Sequence, residues 1–388
     1  MRVAIVHDWL YVIGGAERVL GELLRCYPDA DVFTLFDVLD DEDRTYLGFE
    51  HAHTTFLQRV PRIEALHRSL LPLMPLAIEQ LDMSGYDLVI SSSFAVAKGV
   101  ITGPDQVHVA YVHSPMRYAW DMQHQYLREL GGLKRTMARL LLHRLRVWDS
   151  CSALRPNRLV ANSAYIARRI RNVYGRSADV IYPPVDVTPV ASGVPRGNYF
   201  LSAGRLVGYK NVNAIIEAFR LLPEQRLVVA GAGPEADALR GRAGDNVSFT
   251  GYVSDIEMRR LMAGARALVF AANEDFGIVP VEAQAEGTPV VALGHGGACE
   301  SVAATGPRPT GVFFDQPQPA SIAAAINKLL ARSETFRPEA CRAQAALFTA
   351  ERFRNSFKEL VENEMEHAGA RAPVPAWSAS RALAEHIG

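Results

Sequence analysis

The sequence predicts an α/β protein made of two doubly wound, Rossmann-like domains with parallel sheets that face each other across a cleft. Three observations carry that expectation. Short β-branched runs alternate with longer amphipathic stretches along the chain, the pattern of parallel strands joined by helical crossovers. Most of these runs are apolar throughout rather than alternating, as strands covered on both faces are. They also fall into two series, divided by PPVDVTPVASGVPRGN at 183–198 with its four prolines and two glycines. Such a stretch has little periodicity and reads as a linker.

The first series is VAIVH (3–7), DVFTLF (31–36), YDLVISSS (86–93), VHVAYVH (107–113), RLVAN (158–162) and ADVIY (178–182). The second is YFLSAG (199–204), RLVVAGAG (226–233), VSFTG (247–251), ALVFAA (267–272), PVVAL (289–293) and GVFF (311–314). The expected domains are 1–190 and 195–350, followed by a helical segment at 351–366 and a loosely held tail at 367–388 that carries Pro373 and Pro375.

Composition narrows the function classes. With 49% hydrophobic and 21% charged residues in 388, the chain can bury two cores and is not a disordered segment. A net charge of −1 makes no general case for nucleic acid. No apolar run reaches the roughly 18–20 residues that span a bilayer. The opening MRVAIVHDWL has no basic stretch ahead of a small-residue cleavage site, so a cytoplasmic location is expected. The four cysteines (Cys26, Cys151, Cys299, Cys341) are scattered with no CxxC pair. That suits a reducing compartment and argues against disulfides or structural zinc.

Ligands of doubly wound sheets sit beyond the carboxyl ends of the strands, so the residues just after each strand matter most. After YFLSAG come Arg205 and Lys210, two fixed cations at a helix start and a natural seat for a diphosphate. After ALVFAAN comes Glu274-Asp275-Phe276-Gly277-Ile278-Val279-Pro280-Val281-Glu282. Pro280 suits the first turn of a helix, which leaves the Ile278 and Val279 amides free. Glu282 is expected in that first turn, and with Glu274 it offers acceptors for a ribose diol or sugar hydroxyls. A dipole-complementing glutamate is the plainer reading of Glu282.

Other signals are weaker. Gly231-Ala-Gly-Pro-Glu-Ala236 imitates a dinucleotide fingerprint, but follows the second strand of its domain and lacks an acidic partner. The acidic run Asp37, Asp40, Asp41, Glu42 and Asp43 reads as a solvated face rather than a metal site. His51 and His53 have no third ligand nearby. No GxSxG elbow is present.

The motifs GRL…YKN (204–211), E-x7-E (274–282) and EGTPVVAL (286–293) resemble the C-terminal domain of retaining family-4 glycosyltransferases of the GT-B fold. Upstream, Gly14-Gly15-Ala16-Glu17, YVHSPMRYAWD (111–121), and PNRLVANSAYIARRI with VIYPPVD (156–186) are similar to that family's N-terminal domain. The details most resemble bacterial GDP-mannose-dependent mannosyltransferases of surface polysaccharide synthesis. The resemblance implies that Arg205 and Lys210 hold the donor diphosphate, Glu282 the ribose and Glu274 a donor-sugar hydroxyl. Backbone amides of Phe276, Gly277, Ile278 and Val279 would hold sugar and phosphate. Gly14 and Gly15 would let the backbone approach phosphates or acceptor, and His113 would bond the transferred sugar. Gly233, Tyr252, Val253 and Ser254 would border the base. No covalent nucleophile stands out. The resemblance implies front-face retention, and no metal or cofactor beyond the donor is expected. It also implies that the 351–366 helix returns to the first domain.

Three other readings share part of this pattern: a sugar-nucleotide 2-epimerase, a glycogen- or sucrose-type synthase using another sugar nucleotide such as a UDP-sugar, and a non-catalytic nucleotide-sugar binder. The epimerase needs acid/base carboxylates in an N-terminal pattern that is not found. Charge adds a further expectation. Residues 127–176 carry twelve Lys/Arg against Glu129 and Asp149. Within them 133–148 predicts a helix with Leu133, Met137, Leu140, Leu141, Val147 and Trp148 on one face and Arg135, Arg139, His143 and Arg146 opposite. That helix is either an ordinary packed one or a seat on an anionic membrane for a polyprenyl-diphosphate-linked acceptor at the inner face of the plasma membrane.

Overall fold

The structure is a computed structural model that describes residues 1–128, 130–189 and 194–369. Two parallel sheets form its frame. The first holds β1 (Val3–His7), β2 (Asp31–Thr34), β3 (Ala52–Thr54), β4 (Leu88–Ser93), β5 (Val107–Val112), β6 (Arg158–Ala161) and β7 (Asp179–Val180), in the order β3-β2-β1-β4-β5-β6-β7. The second holds β8 (Phe200–Ala203), β9 (Leu227–Ala230), β10 (Val247–Gly251), β11 (Leu268–Phe270), β12 (Val290–Leu293) and β13 (Gly311–Phe314), in the order β10-β9-β8-β11-β12-β13. Every pairing between these strands is parallel.

Period-2 geometry sends alternate residues of each strand into different cores. Ala4, Val6 and Val89 pack with Met74, Leu142 and Leu145, whereas Ile5, Ile90 and Val109 pack with Leu20 and Leu23. In the second sheet Phe200, Val229 and Val291 meet Ile215, Phe219 and Ile326, while Leu201, Leu268 and Ala292 meet Met262 and Ala283. The helix Ala350–Gly369 crosses back and seats Phe353, Phe357 and Val361 in the first domain. Most of the expected tail and part of the linker lie outside the described residues.

Three expectations need correction. β3 went unseen because it is a three-residue edge strand, and His53 within it stacks on Phe33 at 4.7 Å. The acidic run is not simply solvated: Asp37 is buried and accepts from Arg44 Nε at 2.8 Å, and Asp40 caps the helix Asp41–Leu47. The third concerns the basic helix, Gly132–Ser152, whose two expected faces are each split: Leu141 and Trp148 of the apolar face pack against the first domain's core, while Arg139 and His143 of the basic face are exposed. Leu133, Met137, Leu140 and Val147 are exposed, while Leu142, Leu145, Asp149 and Ser152 are buried. Arg135 donates to the carbonyls of Leu127 and Leu130, and Arg146 donates to that of Ala119. Buried Asp149 pulls its own face inward: it pairs with buried Lys98 and accepts from Trp120 Nε1 and Tyr174 OH. No helix among the described residues is long and apolar enough to cross a membrane.

Candidate active site

Each sheet has a switch point where strand order reverses, β1/β4 in the first and β8/β11 in the second, and ligands collect at such points. After β8 the chain passes Arg205 and makes a short turn, Gly208–Lys210. Asn211 then adopts a left-handed conformation (φ 54°), one that asparagine tolerates better than most residues. Its side chain donates to the carbonyl of Ala271, the residue just past β11, at 3.0 Å. That bond ties the two loops together and brings Lys210 Nζ onto Glu274 Oε1. The rings of Tyr209 and Phe270 lie 5.6 and 5.7 Å from the same ammonium. Arg205 is exposed, with no ion-pair partner among the described residues.

After β11 the loop leads into the helix Ile278–Ala285, capped by Gly277. Glu282 is its fifth residue, one turn deeper than expected, so a first-turn dipole role does not account for it. Its Oε1 accepts from Arg18 Nη1 at 3.1 Å. Burial holds its carboxyl above the ordinary range, and Arg18 opposes that rise. Arg18, Gly204, Met258, Met262, Val279 and Glu282 line one cavity between the domains. Among the described residues, no acceptor meets the main-chain N–H groups of Phe276, Gly277, Ile278 and Val279. The side chain of Phe276 is buried against Tyr182 and Phe348, so this residue offers the cleft only its backbone.

From the first domain, the loop after β1 approaches this helix. A Cβ added to Gly15 would stand 3.0 Å from Ile278 Cδ1, and Gly14 N donates to Glu17 Oε2 at 2.8 Å. His113 follows β5, with its Nε2 2.8 Å from Ser92 Oγ. Burial, helped by His7, lowers its pKa to about 3, so its ring is neutral near pH 7. The proposed base-binding edge is looser. Gly233 owes its lack of a side chain to packing, because a Cβ there would lie 2.3 Å from Leu206 O. Tyr252 is 84% exposed, Val253 is half-buried, and Ser254 caps the helix Asp255–Gly264.

Sequence reasoning missed the residues that bridge the domains. Asp275 lies 3.8 Å from Arg117 Nη1 and 3.4 Å from Arg169 Nη1. Burial raises its pKa, against the pull of both arginines. Ser163 Oγ donates to the Asp275 carbonyl at 2.6 Å, and the Glu300 carboxylate accepts from the amides of Ala164 and Tyr165. Arg117 and Arg169 fall inside two of the N-terminal motifs, YVHSPMRYAWD and PNRLVANSAYIARRI, but nothing local marks their partners. No cluster of metal-ligating side chains occurs among the described residues.

Two parallel-sheet domains with facing switch points and a ligand-sized cleft between them define a GT-B architecture. Residues 13–188 match the family described as Glycosyltransferase Family 4, and residues 191–346 match Glycosyl transferases group 1. The chain belongs to the family-4 glycosyltransferases. One relative is the GDP-mannose-dependent alpha-(1-6)-phosphatidylinositol dimannoside mannosyltransferase of Mycobacterium tuberculosis, 33% identical over 156 residues. A second is the O-antigen chain mannosyltransferase RfbU of Salmonella typhimurium, 31% identical over 128 residues. These alignments span 38% and 31% of this chain, and only 40% and 36% of the relatives' own lengths. Among solved structures, Anabaena Alr3699/HepE in complex with UDP superposes with TM-score 0.69 at 20% identity, over 94% of this chain and 100% of that one. Sucrose-phosphate synthase from Thermosynechococcus elongatus gives 0.70 at 19% identity, over 95% and 100%.

Proposed function

We propose that this protein is a retaining glycosyltransferase that moves mannose from GDP-mannose to a saccharide or polyprenyl-diphosphate-linked acceptor, as in bacterial polysaccharide synthesis, without a metal ion. The observation that carries the reading is the convergence at β8/β11 of Arg205, Lys210, Glu274, Glu282 and four unpartnered amides. The two cations stabilise the charge that grows on the departing diphosphate. Glu282 takes the ribose and Glu274 a sugar hydroxyl. The leaving phosphate accepts the acceptor's proton on the same face, the front-face course that the family resemblance implies. The relatives named for GDP-mannose and mannosyl transfer support this donor. A UDP-sugar is the second reading, favoured by the neighbour solved with UDP.

Thermal shift with GDP, UDP and ADP separates these donors, because a ligand at 100-fold over its Kd stabilises by about 2.7 kcal/mol. GDP is expected to give the largest shift, and labelled mannose is expected to pass from GDP-mannose to a membrane extract in the presence of EDTA. A larger shift with UDP transfers the reading to a UDP-sugar. Binding without turnover makes the protein a binder, and loss of activity that Mn²⁺ restores removes metal independence.

The exposed Leu133, Met137, Leu140 and Val147, flanked by Lys134, Arg139 and Arg144, support peripheral binding to an anionic leaflet. Apolar insertion resists salt, whereas each basic residue contributes about 1 kcal/mol at best and is screened over ~8–10 Å. Replacing Leu133, Met137 and Leu140 with Ser is expected to abolish co-sedimentation with anionic vesicles without altering GDP affinity. Equal binding by wild type and variant would make this an ordinary surface helix. Arg135 and Arg146 are unsuitable targets because they hold neighbouring carbonyls.

A further inference from the structure

On the first domain's side of the cleft, His113 stands at the end of a chain of polar groups that runs back into the domain core. His7 ends β1, Ser92 lies directly beside it on β4, and His113 follows β5, the next strand in the sheet. Parallel register therefore puts the three side chains in a row. His7 Nδ1 is 3.0 Å from Ser92 Oγ, and Ser92 Oγ is 2.8 Å from His113 Nε2. On the far side, His7 Nε2 is 3.4 Å from Glu17 Oε1. Glu17 is anchored in turn by the amide of Gly14. His7, Ser92 and Glu17 are all buried.

We propose that Glu17, His7 and Ser92 act as positioning residues that hold His113 in its Nε2–H tautomer and keep Nδ1 as a hydrogen-bond acceptor. The direction follows from counting protons. An ionised carboxylate only accepts, so His7 Nε2 carries the hydrogen. In the neutral form of His7 that single N–H leaves Nδ1 an acceptor and obliges the Ser92 hydroxyl to donate to it. The Ser92 oxygen is then left to accept, and His113 Nε2–H is the group that donates. Nδ1 of His113 has no partner among the described residues. The low pKa that its surroundings give His113 keeps this ring neutral, so the tautomer is the choice left open.

The consequence for transfer rests on the function proposed above. As a glycosidic bond breaks, the sugar becomes electron-poor, and a lone pair facing it is favourable where an N–H is not. A ring free to exchange tautomers would offer the wrong group part of the time.

Imidazole ¹⁵N chemical shifts report the tautomer without any need for activity. The His113 signal, assigned by its loss in His113→Gln, is expected to show protonated Nε2 and bare Nδ1 in the wild type. Ser92→Ala is expected to shift it to a mixture of tautomers. Glu17→Ala should do the same from two hydrogen bonds away, and Glu17→Gln, whose amide oxygen still accepts, should restore it. In transfer assays Ser92→Ala should lower kcat about 10-fold, by analogy with the partners that orient metal-bound histidines, with GDP affinity unchanged. A wild-type Nδ1–H signal overturns the proposal, as do His113 shifts that are identical in wild type, Ser92→Ala and Glu17→Ala. Absence of transfer in the wild type, with the expected shifts present, refutes the glycosyltransferase reading and leaves the relay standing.

Discussion

Lys210→Ala is expected to lower kcat/KM by about 100–1000-fold, the ~2.7–4 kcal/mol lost when one preorganised donor to a developing charge is removed. Arg205→Ala should fall in the same range. The two differ in what they leave behind. Lys210 contacts Glu274 directly, so its removal also frees a carboxylate that repels an incoming diphosphate. Arg205 has no such partner among the described residues, and its loss leaves the loops otherwise intact. Donor KM should therefore rise more in Lys210→Ala than in Arg205→Ala. Steady-state kinetics with GDP-mannose, alongside thermal melts, would decide the matter. Near-wild-type rates in both variants would remove the anion site from the mechanism.

The largest stability loss is expected away from the cleft, at Asp149→Ala. This carboxylate is fully buried, pairs with Lys98 and accepts from Trp120 Nε1 at 2.7 Å and Tyr174 OH at 2.9 Å. Removing it strands an ammonium beneath the helix Gly132–Ser152, a change that typically costs about 3–5 kcal/mol. Lys98→Met combined with Asp149→Leu should recover much of the loss, because two apolar groups leave no charge uncompensated. Denaturant unfolding followed by tryptophan fluorescence measures both. A loss below about 1 kcal/mol for Asp149→Ala would show that water reaches Lys98 and that the pair is not a buried one.

The parts legible in sequence and the parts hidden there divide along physical lines. Buried parallel strands read clearly, since a run such as VAIVH or PVVAL has few other uses in a soluble chain. Arg205 and Lys210 were legible because they lie between the end of a strand and the start of a helix, whereas Glu282 was legible only through its spacing from Glu274. Ala52–Thr54 was hidden because three residues carry no period. Which face of the helix Gly132–Ser152 turns inward was not legible, because its apolar pattern fits packing and exposure alike and the buried pair of Asp149 with Lys98 decides it. Pairs such as Arg18 with Glu282, or Glu300 with the amides of Ala164 and Tyr165, join residues more than a hundred positions apart. No local pattern marks them until both sheets are in place. The same holds for His7, Ser92 and His113, which become neighbours only once the order β1-β4-β5 is known.

The returning helix has a consequence for how the chain is made. Phe353, Phe357 and Val361 fill the core beside Ile5, Val109 and Tyr111, and the Val185 amide donates to the Phe348 carbonyl where the two crossings meet. A growing chain exposes residues 1–189 first, yet their core lacks one wall until residues 350–369 have been synthesised. The second domain, whose strands are contiguous, can close while the first still waits. The domain translated first is thus the last to be finished, and in the interval an open apolar face on the nascent chain needs shelter from other chains.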